Sequence, residues 1–408
     1  MSLLVTDGDQ RSTLAVVRAL GRAGITVAVG ADQPVSLAGS SRYCARTVCY
    51  PSPLLDPQGF QAFLQQEVAS GQYRMLLPMT DVTAQLLSQV RETISPTVSV
   101  PIPGAQQVKR VQDKRHMTLL ALQLGIPCPQ SFMLQDHEQL EEVARRVSYP
   151  AVVKPRFSRY LQGAKWMFGT VHYARDAAEL IARYQEIHQQ IPGPLVQEKV
   201  EGEGRGVFLL LWDGALKAAF CHRRLREKPP WGGVSVYSES IPLDEELVRA
   251  SFNLLAQIGW QGVAMVEFKL DGRNGTAKFI EVNGRFWGSL QLAIDAGINF
   301  PMLLYRLAMG ENPPPQFIYK VGARSRWLLG DLDHLIILLT HSRAPNGLPC
   351  RRGSKLRACA DFLRLFERNM HYDVLRREDL APGWFECKSY LADTWRKVFS
   401  GNKEISAT

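Results

Sequence analysis

Two acids, Glu267 and Glu281, lie on either side of the turn-rich segment Asp271-Gly272-Arg273-Asn274-Gly275. Short apolar-rich runs flank that segment, which is the pattern of a β-hairpin. Side chains alternate across a strand. Val266, Phe268 and Leu270 then share one face with Ile280 and Val282, and Glu267, Lys269, Glu281 and Asn283 share the other. Symmetric pairing about the turn sets Glu267 opposite Glu281. Like charges so placed repel and call for a cation between them. Two carboxylates and an amide oxygen form a hard, oxygen-only donor set that suits Mg²⁺ and not a soft metal. Mg²⁺ held by so few carboxylates usually shares its shell with nucleotide phosphates. Arg285 follows two residues after Asn283, where it could neutralise a phosphoryl group or a tetrahedral oxyanion. The same alternation also describes a solvated hairpin face with scattered charge. The metal reading therefore requires phosphate-binding groups elsewhere in the chain.

The elements that must position this hairpin are legible along the sequence. Leu3-Leu4-Val5, a helical pattern from Ser12 to Ala23 and an apolar run from Ile25 to Val29 read as a parallel, Rossmann-like unit. Its first loop lacks GxGxxG, so nothing favours a dinucleotide. Arg74 to Pro78 reads as another buried strand. Thr6, Asp7, Thr80 and Asp81 stand at the carboxyl ends of these strands, where α/β sheets collect ligands, and are candidates for a second substrate. Turn chemistry explains each of them singly. The proline-rich stretch Pro96 to Pro103 marks a boundary. Gln106 to Leu124 has a helical pattern that contains Asp113-Lys114, and Asp136 is placed to cap a following helix. Ala151-Val152-Val153-Lys154 is a buried strand ending in a lysine, which either snorkels or meets an anion. Arg156 to Gly169 reads as a mobile loop. Further on come the strand Leu195 to Val200, a hairpin about Asp213-Gly214, and the cationic stretch from His222 to Lys228 with a glycine pair behind it. Pro313-Pro314-Pro315 marks a second boundary. The expected domains are 1–105, 106–312 with lobes near 106–194 and 195–312, and a mostly helical, basic extension at 313–408.

At 408 residues the chain is too long for one ordinary core. Its 46% apolar and 21% charged content is that of a folded soluble protein. No apolar run approaches the length of a bilayer span. The acid in MSLLVTDGD, where a signal peptide needs an apolar core, points to the cytoplasm. Seven scattered cysteines without CxxC suit reduced thiols, and carry no assigned chemistry. The net charge of +9 is concentrated late, with 16 Lys/Arg against 10 Asp/Glu from Lys320 onward. Such a region suits a merely soluble basic surface or peripheral contact with an anionic one. No nucleic-acid-binding module accompanies it.

The motif order completes the reading. Asp113-Lys114, GIPCP at Gly125, VVKP at Lys154, QEKV at Gln197, VEFK at Glu267 and EVNGR at Glu281 follow one another at the spacing of a known superfamily. The chain resembles the ATP-grasp proteins, among them biotin carboxylase, carbamoyl-phosphate synthase large subunits, purine-pathway carboxylases and amino-acid ligases. The likeness covers roughly residues 3 to 310. HRRLREKPPWGGVS and NGRFWGS bring it nearest to a bacterial subgroup of predicted carboxylate–amine ligases.

The resemblance implies an α/β and α+β architecture: a Rossmann-like pre-ATP-grasp domain, a two-lobed ATP-grasp domain, and here an extension. It implies ATP with Mg²⁺ (or Mn²⁺), bound by Lys114 and Lys154 at the phosphates. Glu198, Lys199 and Val200 would line the adenine slot, and Glu267, Glu281 and Asn283 would hold the metal. Arg285, with Lys154, Arg223 and Arg226, would serve at the reacting centre. The implied activity joins a small carboxylate to an amine through an acyl phosphate, releasing ADP. The alternatives are a bicarbonate-using carboxylase and a non-catalytic ATP-binding sensor or scaffold. Homodimers occur among the relatives. Two departures stand out. The position of the family's acidic ribose contact is Gly204, which leaves Glu203 as the ribose candidate. The phosphate-covering loop is poor in glycine and carries Arg156, Arg159 and Lys165 instead.

Overall fold

A computed structural model describes residues 3–94, 98–134, 139–163, 165–344 and 354–399 of the chain. The amino-terminal strands β1 (Leu3–Val5), β2 (Val27–Ala31), β3 (Cys44–Cys49) and β4 (Met75–Leu77) form a parallel sheet in the order β3-β2-β1-β4. Helices α1 (Arg11–Arg22), α2 (Pro57–Ala69) and α3 (Asp81–Val90) connect and cover it. Leu3, Leu4 and Val5 are all buried, as an unbroken apolar run in a covered parallel strand should be. This confirms the Rossmann-like reading.

The next unit holds α4 (Ala105–Gln112), α5 (Lys114–Gln123), β5 (Ser131–Phe132), α6 (Gln139–Arg146), β6 (Ala151–Lys154), β7 (Arg159–Gln162), β8 (Lys165–Phe168), β9 (His172–Ala174), α7 (Ala177–Gln190) and β10 (Leu195–Glu198). Its sheet runs β5-β10-β6-β9, all antiparallel. The sequence reading changes here in three places. The single helix expected over 106–124 is two, because Asp113 leaves helical geometry and accepts hydrogen bonds from the amides of Arg115 and His116. Aspartate competes for backbone donors in this way and favours caps over helix interiors. The loop expected at 156–169 is largely the hairpin β7–β8, anchored by Trp166, whose indole donates to Pro53 O at 2.9 Å. The strand at 195–198 pairs with β6 and so belongs to this lobe's sheet. The cap expected at Asp136 lies outside the described residues.

A larger sheet follows, built from β11 (Gly202–Trp212), β12 (Ala215–Lys228), β13 (Val234–Ser240), β14 (Gly262–Asp271), β15 (Ala277–Asn283), β16 (Arg324–Arg326) and β17 (Met370–Tyr372). Their order is β15-β14-β11-β12-β13-β16-β17. The helices are α8 (Glu245–Gln257), α9 (Leu290–Ala296), α10 (Phe300–Ala308), α11 (Leu328–Thr340), α12 (Lys355–Phe362) and α13 (Ala381–Phe399). Alternation along β11 feeds two cores. Phe208 and Leu210 join Leu14, Val17 and Leu304 on one side, and Val207, Leu209 and Leu211 join Met117 and Leu254 on the other.

The segment after Pro315 is not an appended layer, because β16 and β17 extend this sheet. Ion pairs fasten it: Arg226 of β12 to Asp331 at 2.7 Å, and Arg18 of α1 to Asp379 at 2.8 Å. Charged anchors of that kind look like surface residues to any hydropathy pattern. Among the described residues no helix is long and apolar enough to cross a membrane.

Candidate active site

The hairpin β14–β15 pairs in the expected register: Met265 opposite Asn283, Val266 opposite Val282 and Glu267 opposite Glu281. Beyond Glu267 the register shifts, and Phe268 pairs with Phe279. Phe279 is buried in the apolar face, while Ile280 becomes the extra residue of a bulge and lines a cavity. The face assigned to Ile280 by simple alternation is therefore corrected. A bulge re-aims side chains at the cost of one ladder position, and alternation alone cannot locate it.

The cavity measures about 420 Å³ and lies between the two lobes. Lys154, at the end of β6, and Lys114, at the start of α5, both reach it. Lys114 Nζ stands 3.5 Å from Glu281 Oε2 and donates to Ser158 Oγ at 2.5 Å. The break at Asp113 is what places Lys114 here, and Asp113 also takes Arg156 at 2.5 Å, tying the β7–β8 segment to α5. Burial lowers Lys154 to a pKa of about 8, although Glu281 works in the opposite direction. Burial also opposes ionisation of Glu281, but Lys114, Lys154 and Arg224 outweigh it and hold the carboxyl below its ordinary value. Burial raises Glu267 instead, against the attraction of Arg224 and with the repulsion of Glu281.

Arg224 was missed by the sequence reading. Its Nη2 lies 2.5 Å from Glu267 Oε2, and its Nη1 2.9 Å from Glu227 Oε1. Arg224 sits on β12 and Glu267 on β14, with β11 between them. Gly206 faces both His222 and Glu267 across that strand. Gly204 lies in the cavity wall, and a Cβ there would come 3.1 Å from Arg224 Cδ. A Cβ on Gly206 would fall 2.5 Å from Phe208 and 2.9 Å from His222. Gly204 thus gives the arginine room over the intervening strand, and Gly206 makes room for Phe208 and His222. The two glycines were the available signal, since glycine in a strand interior marks a close approach.

The other expected residues divide. Glu198, Lys199 and Val200 line the cavity. Glu198 accepts from Lys278, from Gln130 N at 3.1 Å and from Arg273 at 3.1 Å. Arg285 lines it too and donates to Asp81 Oδ2 at 3.0 Å and to Asn283 Oδ1 at 3.1 Å. Glu203 is absent from the cavity wall. It alternates to the opposite face of β11 from Gly204 and pairs with Arg205 and Arg223. Arg223 likewise turns away, to Glu239 at 2.5 Å. Arg226 pairs with Asp331 at 2.7 Å beside a separate cavity of about 410 Å³. Alternation sends Arg223 to the other face, a register shift between Arg224 and Arg226 turns Arg226 away, and the segment's cavity-facing guanidinium is Arg224.

Of the four candidates in the first domain, only Asp81 comes near the site. Thr6 is fully buried, and Thr80 caps α3. Asp7, at φ 58°, accepts from Thr6, Thr80, Thr83 and Met79 N in a closed network.

Residues 190–328 match a family model described as ATP-grasp in the biosynthetic pathway with Ter operon. The carbamoyl phosphate synthase large chain of Methanocorpusculum labreanum is 27% identical over 208 residues, 49% of this chain and 19% of that protein. The corresponding protein of Thermomicrobium roseum is 30% identical over 167 residues, 40% of this chain and 14% of its own length.

Over residues 190–328 the chain is similar to an ATP-grasp family.

Among solved structures, similarity of fold extends over most of the chain. Biotin carboxylase of Campylobacter jejuni, solved with a β-γ-ATP ligand, superposes with a TM-score of 0.63 at 15% identity, over 79% of this chain and 74% of that one. The L-amino acid ligase of Bacillus licheniformis gives 0.58 at 18% identity, over 76% and 74%. N5-carboxyaminoimidazole synthetase of Staphylococcus aureus, complexed with ADP, gives 0.61 at 13% identity, over 79% and 80%. The matched stretch is about a fifth or less of the length of these two synthases, so the likeness does not extend to those whole enzymes.

The cavity's donor set fits a hard divalent cation. Glu267 and Glu281 oppose each other in register, and the Asn283 amide sits two residues from Glu281 with its Nδ2 3.5 Å from Glu281 Oε1. No group of three or more His, Cys, Asp or Glu gathers to hold a metal among the described residues. Two carboxylates and an amide form a partial oxygen shell, of the kind phosphate oxygens complete. Replacing Lys154 by Met keeps the stem and removes the cation. The KM for ATP should then rise by about 10- to 100-fold, the worth of one charge-assisted contact. Steady-state kinetics at saturating second substrates check this, and an unchanged KM would remove Lys154 from the phosphate site.

Proposed function

We propose that the chain is an ATP-dependent ligase that joins a carboxylate to an amine, with ATP as co-substrate and Mg²⁺ as its metal. The observation that carries this reading is the convergence of Glu267, Glu281, Lys114, Lys154 and Arg285 on one cavity. The L-amino acid ligase among the structural relatives supports it. Glu267, Glu281 and Asn283 would hold Mg²⁺, which when bound supplies charge neutralisation at the phosphates.

Lys114 and Lys154 orient the phosphates and offset their charge, which is most of what phosphoryl transfer asks of a protein. A carboxylate oxygen attacks the γ-phosphorus, the bridging P–O bond breaks and ADP leaves. The amine then attacks the acyl carbon of the mixed anhydride. The C–O bond breaks, phosphate leaves and the nitrogen loses a proton. Arg285, fixed by Asp81 and Asn283, faces the oxyanion of that step. No nucleophilic side chain is needed.

The test is ADP release from Mg-ATP against pooled carboxylates and amines. Release that requires one member of each pool is the expected result. Release with bicarbonate alone would replace the ligase by a carboxylase. Tight Mg-ATP binding with no release from any pool would favour a non-catalytic nucleotide-binding role.

A further inference from the structure

His222, Met265, Trp287, Gly288 and Arg11 also line the cavity that holds Glu267. Arg11 comes from α1 and is 12% exposed. Asp373 holds its Nη1 at 2.5 Å, and its guanidinium lies over the Trp327 ring at 4.0 Å. Both partners belong to the segment after Pro315. A Cβ at Gly288 would stand 3.1 Å from Arg11 Nη2, so the glycine lets the guanidinium approach the cavity wall.

His222 and Trp287 are 1% and 2% exposed and flank Phe208, with ring centroids 4.6 and 4.2 Å from it. Neither nitrogen of His222 has a hydrogen-bond partner, nor does Nε1 of Trp287 or Nε of Arg224. Buried polar groups rarely stand alone, since each unpaired one costs about 1–3 kcal/mol. Here all three residues line one cavity. Burial and the nearby Arg224 hold His222 well below its ordinary pKa, so its ring is neutral. A neutral imidazole offers one donor and one acceptor, whereas indole and guanidinium only donate. A bare carboxylate offers only acceptors, which suit Arg11, Arg224, Trp287 and the donor nitrogen of His222. It would leave the other nitrogen unanswered.

We propose that this part of the cavity wall binds the carboxylate substrate, that Arg11 anchors its charge, and that His222 and Trp287 select a carboxylate bearing a hydroxyl or amino hydrogen-bond donor. The substrate class rests on the ligase reading of the same cavity. The proposal gives the segment after Pro315 a role in specificity, because Asp373 and Trp327 position Arg11. A site built to pair a substrate donor rejects the analogue lacking it far more strongly than a merely shaped pocket does.

The test uses the full chain and pairs of acids that differ by one donor: L-malate against succinate, L-lactate against propionate, and L-glutamate against glutarate. Binding is measured by calorimetry, with Mg-ADP binding measured separately. At least one donor-bearing acid should bind about tenfold or more tighter than its parent. Trp287→Phe keeps the ring and removes the N–H, and His222→Phe removes both ring nitrogens. In each, Mg-ADP affinity should stay within about twofold and the preference should shrink to about threefold or less. Arg11→Met should weaken both members of a pair alike, by about tenfold. No binding by any pair, equal binding within every pair, or a preference unchanged in both aromatic variants would overturn the proposal. Failure of the wild-type chain to bind Mg-ADP would instead remove the ATP reading, and the paired acids would still decide this one.

Discussion

Glu281→Gln is expected to lower ADP release by about a hundredfold to a thousandfold, the scale of losing a preorganised electrostatic contact at a transferring group. The substitution keeps the shape and hydrogen-bonding reach of the side chain and removes one charge. Stability should change by only about 1 kcal/mol, because two effects oppose each other. Removing Glu281 relieves its repulsion of Glu267, directly across the hairpin. It also takes the nearest carboxylate from Lys114, at 3.5 Å, which keeps Ser158. Rates of ADP release, Mg²⁺ titrations and denaturant midpoints for the two proteins check this together. Turnover equal to wild type in a folded variant would remove the carboxylate pair from the metal site. A large loss of stability would mean that Glu281 serves the fold first.

Arg18→Ala is expected to cost about 3–5 kcal/mol of stability, the range for removing one partner of a buried ion pair. Arg18 is 2% exposed and makes four hydrogen bonds: to Asp379 Oδ2 at 2.8 Å and to the carbonyls of Asp373, Val374 and Asp379 at 2.8–3.0 Å. Its removal strands Asp379, which would keep only Ser41 Oγ and Arg42 N. Arg22, one turn further along α1, pairs with Glu378 with its side chain 41% exposed. Arg22→Ala should therefore cost at most about 1 kcal/mol. Urea denaturation of the two variants beside wild type separates these outcomes. Equal, small losses would mean that the segment 373–379 is not fastened to α1 in solution. The double variant Arg18→Ala with Asp379→Ala should recover part of the loss, since the stranded charge is gone.

Such an anchor also connects stability to the site. Asp373 gives its backbone carbonyl to Arg18 and its side chain to Arg11, on the same helix two turns apart. Loosening the carboxyl-terminal segment should therefore disturb carboxylate binding before nucleotide binding.

The chemistry of the hairpin was set by local sequence. The turn at Asp271 to Gly275, the alternation of Glu267 with apolar neighbours and the lysine ending the run at Lys154 are short-range patterns, and each element formed where its pattern placed it. The opening βαβ unit was legible for the same reason: an unbroken apolar triplet and a helical period need only a few neighbouring residues to be recognised. What the tertiary structure decided were matters of facing and distance. The bulge at Ile280 depends on how two strands settle against each other. The selection of Arg224 over Arg223 and Arg226 depends on which face of β12 meets the cavity, on the register shift after Arg224, and on Gly204 of the neighbouring strand. The place of the segment after Pro315 depends on ion pairs more than 350 residues apart in the chain. Periodicity reports which residues share a face. It carries no information about which distant face they meet, because that is settled only when the sheets, helices and buried charges pack together.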